Sequence, residues 1–193
     1  TEVTNEMVMA VKPDAVVIAT GSMPLIPTIP GVDGGNVAEV RQVLKGDVVV
    51  GDNVVIVAGE DHTEALTTAD FLAEQGKKVE VLSMHYHCAS SVEINTKQAI
   101  YQRLLAKGVI LTPSTLVKEI SGNTVVAYNF FTHEERRIEG VSTVVIAYGG
   151  REDNALYYAL KDRVKEIYRV GDAKAVRRIN DATMDGATVA RSL

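Results

Sequence analysis

The stretch from Asn53 to Leu82 constrains the fold more than any other part of the chain. Asn53 to Val57 (NVVIV) is an almost unbroken apolar, β-branched run, the pattern of a strand buried on both faces. A turn follows at Ala58 to His62. Thr63 to Gln75 then carries Ala65, Leu66, Ala69, Leu72 and Ala73 on one helical face, with Phe71 beside it. Gly76 supplies the helix stop. Lys78 to Leu82 (KVEVL) reads as a second strand. Strand, helix and strand within roughly thirty residues make a βαβ unit, with parallel strands and a right-handed crossover. An α/β fold is therefore expected.

The flanks repeat this grammar. Residues 1–12 read as a short helix with Val3, Met7, Val8 and Val11 on one face. Ala15 to Ala19 (AVVIA) reads as a strand buried on both faces, ended by Thr20-Gly21. Residues 22–36 hold Pro24, Pro27 and Pro30, then Gly31, Gly34 and Gly35, and predict an extended connector. Residues 37–45 predict a short helix closed by Gly46. A second long helix is expected over Glu93 to Lys107, stopped by Gly108, with a short strand at Val109-Ile110-Leu111. Residues 115–139 predict two or three antiparallel strands turning at Gly122-Asn123. Val144 to Ala147 is another buried strand before Gly149-Gly150. A helix over Asn154 to Lys161, a strand over Ile167 to Val170 and a last helix over 181–193 complete the chain. Val16 to Gly21 (VVIATG) and Val144 to Gly149 (VVIAYG) echo each other, which suggests two related α/β units.

Composition narrows the function classes. With 193 residues, 46% of them hydrophobic, the chain has material for one good-sized domain or two small ones. The net charge of -5 argues against a nucleic-acid or anionic-membrane surface. No apolar run approaches the ~20 residues of a spanning helix, and no signal peptide opens the chain, so a cytoplasmic protein is expected. The first residue is Thr1, so a processed, truncated or excised piece is expected. Cys88 is the one cysteine. An intrachain disulfide, a redox cysteine pair and an iron–sulfur cluster held by four thiolates of this chain are all excluded. No G-x-S-x-G and no G-x-x-x-x-G-K-[ST] occurs.

Taken in order, several short motifs resemble the pyridine nucleotide–disulfide oxidoreductases. They are Ala19-Thr20-Gly21, Ile29-Pro30-Gly31, the βαβ unit, the β-rich stretch, Val144 to Gly149, and Tyr168-Arg169-Val170-Gly171-Asp172 before a closing helix. The resemblance implies an FAD-binding domain interrupted by an NAD(P)-binding domain. It implies a Rossmann-like parallel sheet with a β-rich three-stranded insertion over 46–149, and the remnant of an FAD-type α/β domain over 1–45 and 150–193. The tail Gly171-Asp172-Ala173, Arg178-Ile179, Asp181-Ala182, Gly186 and Val189-Ala190 is similar to the flavoprotein group of 2,4-dienoyl-CoA reductase, 2-enoate reductase and trimethylamine dehydrogenase. In that group an FMN-binding barrel and an iron–sulfur cluster precede these domains, so both cofactors are expected only in a longer parent.

By this resemblance Ala19, Thr20, Gly21, Gly171, Asp172 and Gly59 are the cofactor-binding residues, for FAD or an ADP moiety. Arg177-Arg178 either face a phosphate or form surface ion pairs. Asp172 either bonds the flavin ribityl and pyrophosphate region or serves as a turn aspartate. No catalytic residue and no metal ligand is assigned to this chain. No G-x-G-x-x-G segment precedes Ala15, so the FAD site is expected to be incomplete here. The face near residues 14–30 is expected to be covered by the missing N-terminal domains, a partner subunit or a second copy of the chain.

The dinucleotide loop itself departs from the pattern. Such a loop needs glycines so that its backbone can approach a pyrophosphate at a helix N-terminus. Ala58-Gly59-Glu60-Asp61-His62-Thr63-Glu64-Ala65 keeps one glycine and carries three carboxylates. Without a ligand, Asp61 would cap the helix with Glu64 three residues on, a capping box. The second strand ends in Ser83-Met84-His85-Tyr86-His87, with neither an acid for a ribose nor an arginine for a 2′-phosphate. Both features point to weak or lost NAD(P)H binding and are most similar to the trimethylamine dehydrogenase branch. His62, His85, His87, Cys88 and Asp61 are read as ordinary loop residues in preference to a metal site, and Glu134-Glu135-Arg136-Arg137 as a solvated hairpin face. Two functions remain: part of a flavin-dependent enoate or enoyl-CoA reductase or amine dehydrogenase, or a non-catalytic nucleotide-binding or interaction module.

Overall fold

The computed structural model describes residues 2–193. In chain order the elements are α1 (Asn5–Val11), β1 (Ala15–Ile18), β2 (Ser22–Pro24), β3 (Val37–Glu39), α2 (Val40–Lys45) and β4 (Asn53–Ala58). Then come α3 (Glu64–Glu74), β5 (Lys78–Ser83), α4 (Ile94–Ala106), β6 (Ile110–Thr112), β7 (Thr115–Ser121), β8 (Thr124–Asn129) and β9 (Glu135–Ile138). The last are β10 (Thr143–Ala147), β11 (Gly150–Glu152), α5 (Ala155–Leu160), β12 (Glu166–Arg169), a 3-10 turn (Gly171–Ala173) and α6 (Ile179–Ser192). The chain divides into two compact units, Ile26–Gly149 and Thr1–Leu25 with Gly150–Leu193.

The larger unit is a five-stranded parallel sheet in the order β3-β10-β4-β5-β6. Its strand residues alternate between two cores. Val54, Ile56, Val79, Val81 and Val145 pack with Ala65, Leu66, Ala69 and Leu72 of α3, Leu104 of α4 and Val43 of α2. Val55, Val57, Leu82, Val144 and Ile146 pack on the opposite face against Val117, Ile120, Val125 and Ala127 of the antiparallel β7-β8-β9 sheet. With both faces covered, β10 is buried along its whole length, which is why it is apolar from Val144 to Ala147. Helices on one side and a three-stranded meander on the other match the fold class expected from the sequence.

The sequence pattern places the division after residue 45, whereas the compact unit begins at Ile26. Long-range pairing is the reason. Val37–Glu39, expected to open a helix, forms β3 and pairs with Val144–Ile146 of β10 before α2 begins. The Pro30 carbonyl accepts from the Ile120 amide at 2.8 Å. A Cβ at Gly31 would lie 1.9 Å from the Ile120 carbonyl oxygen, so only glycine lets this link lie against β7.

In the smaller unit β1 and β12 form a parallel pair, Ala15 to Ile18 against Glu166 to Arg169, and β2 pairs antiparallel with β11. Residues 22–24 are therefore a short strand and not a free connector. Ile18, Leu160 and Ala173 form a small core with Val16, Leu156, Tyr157 and Ile167 around it. The expectation that Ala15–Ala19 is buried on both faces is overturned, because Val17 is 43% exposed and only Ile18 of β1 is fully buried. A sheet of two strands has too little covering to bury both faces. The Arg169 guanidinium lies 4.5 Å from the centre of the Tyr157 ring, a cation–π contact that ties β12 to α5. No described helix is long and apolar enough to cross a membrane.

Candidate functional site

In the smaller unit, β1 and β12 end side by side, and the Val170 amide extends the ladder by donating to the Ile18 carbonyl at 3.0 Å. The carboxyl edge of a parallel sheet is where α/β folds bind ligands. A cavity of about 350 Å³ opens there, lined by Ala19, Gly21, Gly171, Asp172, Arg177 and Arg178 together with Val170, Ile179 and Ala182. Gly171 has φ +60°, and a Cβ on it would lie 3.1 Å from that of Ala182, so the turn needs glycine on both counts.

Asp172 is held from two sides. One carboxylate oxygen accepts from the Ser22 hydroxyl at 3.3 Å and the other from the Arg177 amide at 3.2 Å. Four of the expected cofactor residues, Ala19, Gly21, Gly171 and Asp172, thus line one cavity. Thr20 does not join them. Its hydroxyl donates to the Asp153 carbonyl, and it lines a separate cavity of about 560 Å³ between α1 and α5.

Asp185 escaped the sequence reading. It accepts from Lys174 Nζ at 3.0 Å, from the Gly171 amide at 3.3 Å and from Arg177. The Lys174 and then the Arg177 hydrogen bonds hold its carboxyl below the usual range. Arg177 also lies 3.9 Å from Asp181. Asp181 and Asp185, one turn apart on α6 and downstream of two arginines, were the available signal. Of the two readings of Arg177, the ion pair is present, and its side chain still borders the cavity.

Gly59 belongs to the larger unit. The expected cap at α3 is corrected there. Asp61 accepts from the Ser91 hydroxyl, and that bond holds its carboxyl low. The N-cap position is Thr63, which makes no side-chain cap bond. Glu60 does the capping instead, accepting from the His62 amide at 2.5 Å and the Ala65 amide at 3.2 Å. Glu64 turns to the Gly149 amide at 3.2 Å. Burial, with the Glu60 charge added, pushes the Glu64 carboxyl above its usual value.

Ser83, the last residue of β5, is buried, and in the turn after it His85 Nε2 is buried without a hydrogen-bond partner. Cys88 is buried, which pushes its thiol up to about 11. Among the described residues no three His, Cys, Asp or Glu side chains are grouped to hold a metal ion. The acid–base run at 134–137 is exposed, as expected of a solvated hairpin face, and within it Arg136 of β9 pairs with Glu80 of β5 at 2.5 Å.

The model of the pyridine nucleotide-disulphide oxidoreductase family matches residues 2–186. The N,N-dimethylglycine/sarcosine dehydrogenase of Chromohalobacter salexigens is 31% identical, over 88% of this chain and 27% of that protein. A metal reductase of Desulforamulus reducens is 30% identical, over 86% of this chain and 29% of its own. Among solved structures, a 2-naphthoyl-CoA reductase superposes with a TM-score of 0.88 at 33% identity, covering 96% of this chain and 28% of that one. The chain thus spans under a third of the length of each of these relatives. The order of strands, the glycine turns and these matches agree, and the chain belongs to the pyridine nucleotide-disulphide oxidoreductase family.

Proposed function

We propose that this chain is the nucleotide-domain portion of a flavin-dependent oxidoreductase of the enoate or enoyl-CoA reductase or amine dehydrogenase type. In this reading the cavity at the ends of β1 and β12 takes the ADP moiety of FAD, or ADP itself. One observation carries it: a glycine turn, a held carboxylate and two arginines share the rim of one cavity at the carboxyl edge of a parallel pair. The chemistry of that set suits a nucleoside diphosphate. Gly21 and Gly171 let the backbone come close to phosphates, Arg177 and Arg178 supply positive charge, and Asp172 accepts from a ribose or ribityl hydroxyl.

A bound flavin would supply the redox chemistry. The chain's own residues bind and orient. FMN and an iron–sulfur cluster would be carried by other parts of a longer protein. The named activities of the relatives, amine dehydrogenase and acyl-CoA reductase among them, favour an oxidoreductase over a non-catalytic module. In the same reading a further part of that protein covers the open edge of β1, the exposed Val3, and the exposed Met7 and Val11 of α1.

Titration calorimetry with ADP, FAD and FMN tests the reading. ADP and FAD are expected to bind competitively and FMN, which lacks the adenylate, to bind far more weakly. Arg178→Ala is expected to weaken ADP about ten-fold, the scale of one charge-assisted contact. Equal binding of FMN and FAD, or no ADP binding to the folded chain, would refute it.

A further inference from the structure

In a nucleotide-type βαβ unit the pyrophosphate rests on the glycine turn and on the free amides at the N-terminus of the crossover helix. In this chain that place is already filled. The Glu60 carboxylate takes the His62 amide at 2.5 Å and the Ala65 amide at 3.2 Å. The Gly59 and Glu60 amides both turn to the Ala147 carbonyl, at 3.0 and 3.4 Å. The Tyr148 ring lies on Gly59 so closely that a Cβ there would be 2.5 Å from three of its atoms. Four amides of the loop, those of Gly59, Glu60, His62 and Ala65, are thus already paired, and the glycine surface a phosphate would rest on is covered by an aromatic ring.

We propose that Glu60 and Tyr148 are a built-in replacement for the dinucleotide, and that these two side chains determine that the larger unit rejects NAD(H) and NADP(H). A helix N-terminus favours negative charge, and Glu60 satisfies that preference from within the same loop, at no cost in translational freedom. A diphosphate would have to displace it and would then lie beside both Glu60 and Glu64. The turn after β5 offers neither acid nor arginine to offset the loss. The inference concerns the larger unit alone and stands or falls apart from the flavin reading of the smaller one. Its consequence is that electrons do not enter or leave through hydride transfer at this unit.

The test is a gain of binding. NADH and inorganic pyrophosphate are titrated into isotope-labelled wild type, Glu60→Gly and Glu60→Gly/Tyr148→Ala, following the backbone amide signals of Gly59, His62 and Ala65. Wild type is expected to show no shift at these amides with millimolar NADH. The double variant is expected to bind NADH at least about ten-fold more tightly, with shifts centred on those three amides. Glu60→Gly alone, which leaves the Tyr148 packing in place, is expected to bind pyrophosphate more tightly than wild type, so the test survives if the double variant unfolds. Saturable NADH shifts at these amides in wild type would overturn the proposal. So would a folded Glu60→Gly variant with no gain for pyrophosphate.

Discussion

Gly59→Ala probes the packing of the loop most directly. The added Cβ would sit 2.5 Å from three atoms of the Tyr148 ring, against ordinary carbon contacts of about 3.5–4.0 Å, so the ring must retreat by roughly 1 Å. Forcing a group into a packed site costs about 1–3 kcal/mol. Gly59 does not have a left-handed backbone, so alanine meets no strain there and gains about 0.4–1 kcal/mol from a less flexible unfolded chain. The net expectation is a loss of about 1–2 kcal/mol. In a Tyr148→Ala background the obstacle is gone, and the same substitution is expected to be neutral or stabilising by up to about 1 kcal/mol. Urea midpoints followed by circular dichroism at 222 nm close the double-mutant cycle, with a coupling of about 1–3 kcal/mol. An equal cost of Gly59→Ala in both backgrounds would mean that the ring does not rest on the glycine.

Three further expectations follow from burial and charge. Burial and then Glu60 raise the Glu64 carboxyl above its ordinary 4.5, so folding takes up a proton there; its stabilisation is full below that value and lost as pH rises through the folded one. Glu64→Gln is accordingly expected to raise the melting temperature at pH 7–8, with the gain shrinking towards pH 4, and a constant gain would contradict this. Asp70 has the opposite sign: Lys107 at 2.8 Å and Arg103 at 2.9 Å hold it low, so its stabilisation is present above the unfolded value and lost in acid. Asp70→Asn is expected to lower the melting temperature at pH 7 and to leave it unchanged near pH 3. Cys88, with its thiol pushed up to about 11 by burial, is expected to react with a disulfide reagent at pH 8 only as fast as the protein opens, and rapid labelling in the native state would refute the burial.

Local patterns made much of the larger unit legible. β4, α3 and β5 lie within a residue of their expected bounds, because helical spacing and β-branched runs are properties of neighbouring residues. The Asp61 cap was misplaced for a different reason. Asp61, Glu60 and Thr63 are all chemically able to cap α3. The choice rests on Ser91, which engages Asp61 from thirty residues away, and on the Ala147 carbonyl and Tyr148 ring, which draw the Gly59–Glu60 turn towards β10. Asp185 was overlooked because its partners Lys174, Arg177 and the Gly171 amide come into reach only when α6 folds back on the 3-10 turn.

The sequence by itself determined that this chain is an α/β protein with a βαβ unit, that its strands end in glycine turns, and that its dinucleotide loop is poor in glycine and rich in acid. Those traits are written in residue type and spacing within ten or so neighbours. Only the tertiary structure decided that residues 26–45 belong with the larger sheet, that β1 leaves Val17 exposed, and that Glu60 takes the His62 and Ala65 amides while the Tyr148 ring lies on Gly59. Each of those depends on which distant strand edge, ring or carbonyl reaches a given backbone group first. A buried amide takes the acceptor that the fold brings to it, and neighbouring residue types do not specify which one that is.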